Sequence, residues 1–170
     1  MVPATVERGV GRVTVSEADR AAVAAQLGRA PRAIREVAYR CPSGHPAVIK
    51  TSPRLEDGTP FPTLYYLTCP RLNSLTSTLE ASGLMKDMTA RLAEDEDLAA
   101  VYLAAHRSYL AERDAIESLG TEVSAGGMPG RVKCLHVHVA HSLAVGPGVN
   151  PFGDETVALL KADWPAGDCL

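Results

Sequence analysis

Apolar positions follow two regimes along this chain. Between residues 33 and 69 they come in short runs rich in β-branched and aromatic residues, and three of these runs, Ile34 to Tyr39, Ala47 to Thr51 and Pro62 to Thr68, predict strands. Pro42-Ser-Gly44 marks a turn between the first two. The stretch from Ser52 to Phe61, with Asp57-Gly58 inside it, reads as a long ordered loop. Pro70 ends the third run, because a residue without an N–H interrupts a ladder.

The rest is helical in period. Ser16-Glu-Ala-Asp19 resembles a capping box and predicts a helix to about Leu27, stopped by Gly28 and Pro31. Arg71 to Ala81 predicts a second helix. Leu84, Met85, Met88 and Leu92, then Leu98, Tyr102, Ala105, Tyr109 and Leu110, recur at helical spacing. Leu119 to Gly130 reads as a flexible connector before a helix that carries cysteine and histidine and ends at Gly146-Pro-Gly148. Asn150-Pro151 supplies an N-cap and a first-turn proline for a last helix to about Lys161. The expected fold is α+β: a small, mostly antiparallel sheet over about 33–69, covered by a helix-rich C-terminal half. All 170 residues form one expected domain, with a looser N-terminus at 1–14 and a tail at 163–170.

Composition narrows the class. Of the residues, 46% are hydrophobic and 22% charged, ordinary for a globular chain with a real core. A net charge of -3 and a pI near 5.9 give no basic face for a nucleic-acid duplex. No apolar run reaches the roughly 18 residues of a membrane span, and the first residues lack the basic start and apolar core of a secretory signal, so a cytoplasmic location is expected. Cys41, Cys69, Cys134 and Cys169 are sparse and widely spaced, which suits reduced thiols, Cys169 being a tail thiol.

Candidate chemistry concentrates in Arg131-Val-Lys-Cys-Leu-His-Val-His-Val-Ala-His141. On an ideal helix with Cys134 at zero, His138 falls at roughly 40° and His141 at roughly -20°, while Val132, Leu135, Val139 and Leu143 gather on the far side with His136. One thiolate and two imidazoles on one face suit a transition metal. Zinc needs a further ligand, which Cys41, His45 or Cys69 would supply from the sheet. The plain alternative buries Cys134 as a small hydrophobe and pairs the histidines with carboxylates or backbone. A metal-free Cys/His nucleophile is a third possibility.

Other residues carry weaker signals. Arg54 and Asp57 in the long loop are candidate substrate contacts, with turn-making the blander role. Gly126-Gly127-Met-Pro-Gly130 followed by Arg131 and Lys133 offers positive charge to an anion, but lacks the Gly-Lys-Ser/Thr of a Walker loop. His106, Tyr65 and Tyr66 read as packed residues, Met85 and Met88 as core, and Glu94 to Asp97 as a solvated helix junction.

The strings Arg40-Cys-Pro-Ser-Gly-His-Pro46, Asp57-Gly-Thr-Pro-Phe-Pro-Thr-Leu-Tyr-Tyr-Leu-Thr68, Gly127-Met-Pro129, Arg131-Val-Lys-Cys-Leu-His136, Ala140-His141 and Gly146-Pro-Gly-Val-Asn-Pro151 resemble an uncharacterised, mostly actinobacterial family, domain of unknown function 501, over about residues 30 to 160. The resemblance implies no activity, fold or cofactor. Through gene neighbourhoods with a septum-formation-initiator protein and an exopolyphosphatase it implies, by association, a cell-envelope or phosphate-metabolism setting. Cys134, His136 and His141 match its pattern and His138 is not part of the match, so the third ligand stays open between His138 and His136.

The leading expectation is therefore a cytoplasmic protein with a Cys/His zinc centre, structural or hydrolytic, an iron–sulfur cluster being less favoured. The first alternative is a metal-free Cys/His enzyme or anion-binding domain for a phosphorylated small molecule, with Arg54, Arg131 and Lys133 gathered on the ligand. The second is a non-catalytic adaptor linked to division or the envelope, its protein partner unknown.

Overall fold

A computed structural model describes residues 15–164, and the expectations for 1–14, for 165–170 and for Cys169 lie outside them. Ser16 caps the first helix, α1 (Glu17–Leu27), accepting from the Asp19 N–H at 3.1 Å, and Gly28 closes it in the left-handed region at φ 70°. Strands β1 (Ile34–Arg40), β2 (Pro46–Thr51) and β3 (Tyr65–Leu67) form an antiparallel sheet in the order β1-β2-β3. The central β2 is buried along almost its whole length, as its run of small and branched apolar residues requires.

β3 is shorter than the expected run from Pro62 to Thr68. The Leu64 N–H points to the Tyr109 hydroxyl at 2.6 Å and the Tyr65 N–H approaches the same oxygen at 3.4 Å, so a side chain takes these N–H groups where the strand was expected to be under way, and β3 starts late. The preceding loop is ordered, as its turn residues predict: the Asp57 carboxylate accepts from Thr59 N–H, and Arg54 bridges to Pro60.

Helices α2 (Pro70–Ala81), α3 (Leu84–Glu94), α4 (Glu96–Ile116), α5 (Leu135–Val145) and α6 (Pro151–Asp163) complete the α+β architecture. Asp95 joins α3 to α4, its carboxylate capping the Leu98 N–H. α5 packs against the sheet, α2 and α6. No helix among the described residues is long and apolar enough to cross a membrane.

Three findings differ from the sequence-based expectation. α5 begins at Leu135, so Cys134 is its extended N-cap and not a member of a helical triplet. α6 runs to Asp163, and Trp164 is buried in the core, two residues assigned above to a tail. The segment before α5 is pinned, not loose: the fully buried Arg113 guanidinium donates to the carbonyls of Val123 at 2.7 Å and Thr121 at 3.1 Å, and Tyr102 donates to the Arg131 carbonyl at 2.9 Å. A buried cation is stable only with such partners.

α5 and α6 meet at Asn150, the N-cap of α6. Its side-chain oxygen accepts from the Gly153 N–H, and its Nδ2 donates to Nδ1 of His138 at 2.9 Å and Nδ1 of His141 at 3.2 Å. Both imidazoles therefore carry their proton on Nε2. His138 spends it on the Gly126 carbonyl at 3.2 Å, whereas His141 Nε2 is buried without a hydrogen-bond partner, its ring stacked on Tyr65 and edge-on to Tyr109.

Burial pushes His138 and His141 down to about 4, against the attraction of Glu112 and Asp154 for His141 and with the His141 charge opposing His138. The native rings stay neutral while the unfolded chain takes up protons below its ordinary value of 6.5. The stability contributed by these two neutral rings should be complete above that value and be lost between pH 6.5 and about 4, by about 3 kcal/mol per histidine. Urea unfolding across this window checks it, and His141→Phe should roughly halve the slope. Gly153→Ala tests the helix contact: a Cβ there would lie 2.1 Å from Ser142 Oγ and 2.3 Å from the His138 carbonyl oxygen. We expect a loss of at least about 3 kcal/mol, read as a fall of roughly 6–12 °C in Tm.

Candidate functional site

On α2, Asn73, Ser77 and Glu80 follow one another at intervals of four and three and so occupy one face. That face meets the start of α5. Glu80 Oε1 accepts the Leu135 N–H at 2.7 Å, taking the place of a side-chain cap that Cys134 does not provide, and its negative charge suits a helix N-terminus. The same oxygen lies 3.0 Å from Nδ1 of His136, whose Nε2 lies 3.2 Å from the Asn73 carbonyl and 3.4 Å from Ser77 Oγ.

The donor atoms of Glu80, Cys134 and His136 all lie within 4.8 Å of one another, and all three residues are partly buried. Among the described residues this is the one group of three such side chains close enough to hold a metal ion. The Cys134 sulfur beside the ring, followed by the hydrogen bond and charge of Glu80, raises His136 to about 9 against the opposing cost of burial. With acceptors at both nitrogens, the metal-free ring is an imidazolium.

Cys134 and His136 open on a cleft of about 460 Å³ walled by Leu27, Tyr65, Tyr66, Leu67 and Val137. Cys134 also lines a second, shallower cleft of about 520 Å³, which it shares with Arg131, Lys133 and the Gly126–Met128 loop.

The remaining candidates are placed elsewhere. His138 and His141 turn into the core toward Asn150. Cys41 is buried at the hairpin turn with its sulfur 3.9 Å from His45 Nδ1, and Cys69 is buried as the N-cap of α2; neither these residues nor His138 and His141 belong to the metal-sized group. Arg54 is bound to Glu117 at 2.8 Å and to the Gly58 carbonyl, and Asp57 closes its own turn. Neither lines the cleft that Arg131 and Lys133 share, so the expected gathering of Arg54 with those two cations does not occur there.

Glu80 went unnoticed in the sequence, although the polar row Asn73, Ser77 and Glu80 on an otherwise ordinary helix is the signal that points to it. His106, read as packed, is buried with Nδ1 2.7 Å from Ser124 Oγ.

No curated protein and no solved structure matches the chain. The model of one family, described as protein of unknown function (DUF501), matches residues 37–158, a span that contains Glu80, Cys134 and His136 and every element from β2 to α5; the chain belongs to that family.

Proposed function

We propose that Glu80, Cys134 and His136 bind a single zinc ion whose fourth position faces the cleft, making the protein a metal centre able to activate water for hydrolysis. The observation that carries this reading is the convergence of one carboxylate oxygen, one sulfur and one imidazole nitrogen within 4.8 Å at a cleft wall. Around a tetrahedral zinc such atoms stand roughly 3.5 Å apart, a short contraction from this spacing.

The surroundings favour the same reading. His136 can present Nδ1 to the ion while its Nε2–H donates to the Asn73 carbonyl, the outer contact that orients a metal-bound histidine. In the metal-free protein Nδ1 carries a proton directed at Glu80 Oε1; the ion would take its place. Three protein ligands leave room for a water, whose pKa zinc lowers to about 7.

A second reading, a metal-free nucleophilic pair, draws on the contact between the Cys134 sulfur and a His136 held protonated up to about pH 9. It lacks a base, because both ring nitrogens already face acceptors.

Protein purified without a His tag should carry close to one equivalent of zinc by elemental analysis. Cys134→Ser and His136→Asn should each carry less than a tenth, and Glu80→Gln, which keeps an oxygen for the Leu135 N–H, should bind about tenfold more weakly. Wild-type protein that neither holds nor takes up a metal would overturn the proposal. Iodoacetamide separates the two readings: in chelator-treated protein Cys134 should be labelled ahead of the buried Cys41 and Cys69, and added zinc should suppress that labelling at least tenfold. Labelling indifferent to zinc would favour the metal-free pair.

A further inference from the structure

Residues 131–133 enter the site as a short extended segment held on both sides. Tyr102 donates to the Arg131 carbonyl at 2.9 Å, the Val132 N–H donates to Thr89 Oγ1 at 3.0 Å, and the Lys133 N–H donates to the Gly126 carbonyl at 2.8 Å. Val132 is buried, and Arg131 and Lys133 on either side of it are exposed, the alternation expected of extended backbone. Both cationic stems pass over Gly127: a Cβ at that glycine would lie 2.9 Å from Lys133 Cγ and 3.1 Å from Arg131 Cγ, and its φ of 91° suits glycine. Two positive side chains thus rise close together from a pinned segment that runs directly into Cys134.

No carboxylate lines the cleft they share, and no ion pair occupies either cation among the described residues. On the other side of Cys134 the deeper cleft is walled by Leu27, Tyr66, Leu67 and Val137. Charge and apolar surface therefore flank one residue, and that residue is a member of the metal group.

We infer that the site takes an amphipathic oxyanion: a small molecule whose phosphate or carboxylate is held by Arg131 and Lys133 while its apolar or aromatic body lies against Leu27, Tyr66 and Val137. Guanidinium presents a planar fork that matches either oxyanion and ammonium adds a point charge, so the cationic side sets the head group and the apolar side sets the body. The inference rests on the proposed metal centre for its chemistry, but recognition by the two clefts is separable from it.

The experiment uses calorimetric titration of the full chain, zinc-loaded and metal-free, with 1-naphthyl phosphate, 1-naphthoate, 1-naphthol and inorganic phosphate. One of the two naphthyl anions should bind at least tenfold more tightly than both naphthol and inorganic phosphate, and which one identifies the head group. Arg131→Gln with Lys133→Gln should weaken that anion at least tenfold while zinc content stays near one equivalent. Tyr66→Ser should weaken it about fivefold without changing the affinity for inorganic phosphate. Equal binding of all four probes, or binding untouched by the double substitution, would overturn the inference even if zinc is bound. Anion binding that needs Arg131 and Lys133 in a protein that takes up no zinc would sustain it and reject the metal centre.

Discussion

One amide group sets the position of α5, and most of the structure is arranged around that helix. The Asn150 side chain has two N–H bonds and one oxygen, and all three are used: two for imidazoles one helical turn apart on α5 and one for the first turn of α6. Each partner is buried, so any rotation or slide of α5 would strand polar atoms where water cannot reach them. Gly153 permits the close approach that makes this geometry reachable, since a methyl group at that position would overlap Ser142 and the His138 carbonyl. The result is a helix locked in rotation as well as in depth.

That lock explains the division of labour among the histidines. His138 and His141 are spent on architecture, with rings set among Tyr65, Tyr102 and Tyr109 and protonation disfavoured by burial. His136, on a different side of the same helix, is turned toward α2 and the cleft, where a carboxylate and a sulfur favour its charged form. A single, mostly apolar helix thereby carries two opposite electrostatic environments. The fixed inner face sets where His136 stands relative to Glu80 of α2 and to Cys134 at the N-cap.

The sequence made much of the frame legible. Ser16 and Asn150-Pro151 announce their helices because capping depends on local chemistry, and the turn at Pro42-Ser-Gly44 and the junction at Asp95 read out for the same reason. What escaped depends on distant partners. Tyr109 shortens β3 from 45 residues away, and Glu80 starts α5 from 55 residues away, which moves Cys134 out of the helical register that a wheel assumes. The connector before α5 looks loose by its glycines, yet Arg113, His106 and His138 tie it down through hydrogen bonds that no local pattern displays. The candidate site was thus half legible: its cysteine and its matching histidine stand in one short string, while its carboxylate comes from an unremarkable helix.

The two contacts that Glu80 makes with α5 fall on the same atom, Oε1. Its other oxygen is consequently not needed to begin the helix. The start of α5 and the orientation of the His136 ring therefore rest on a single oxygen atom borrowed from α2, which couples the two helices at that one point.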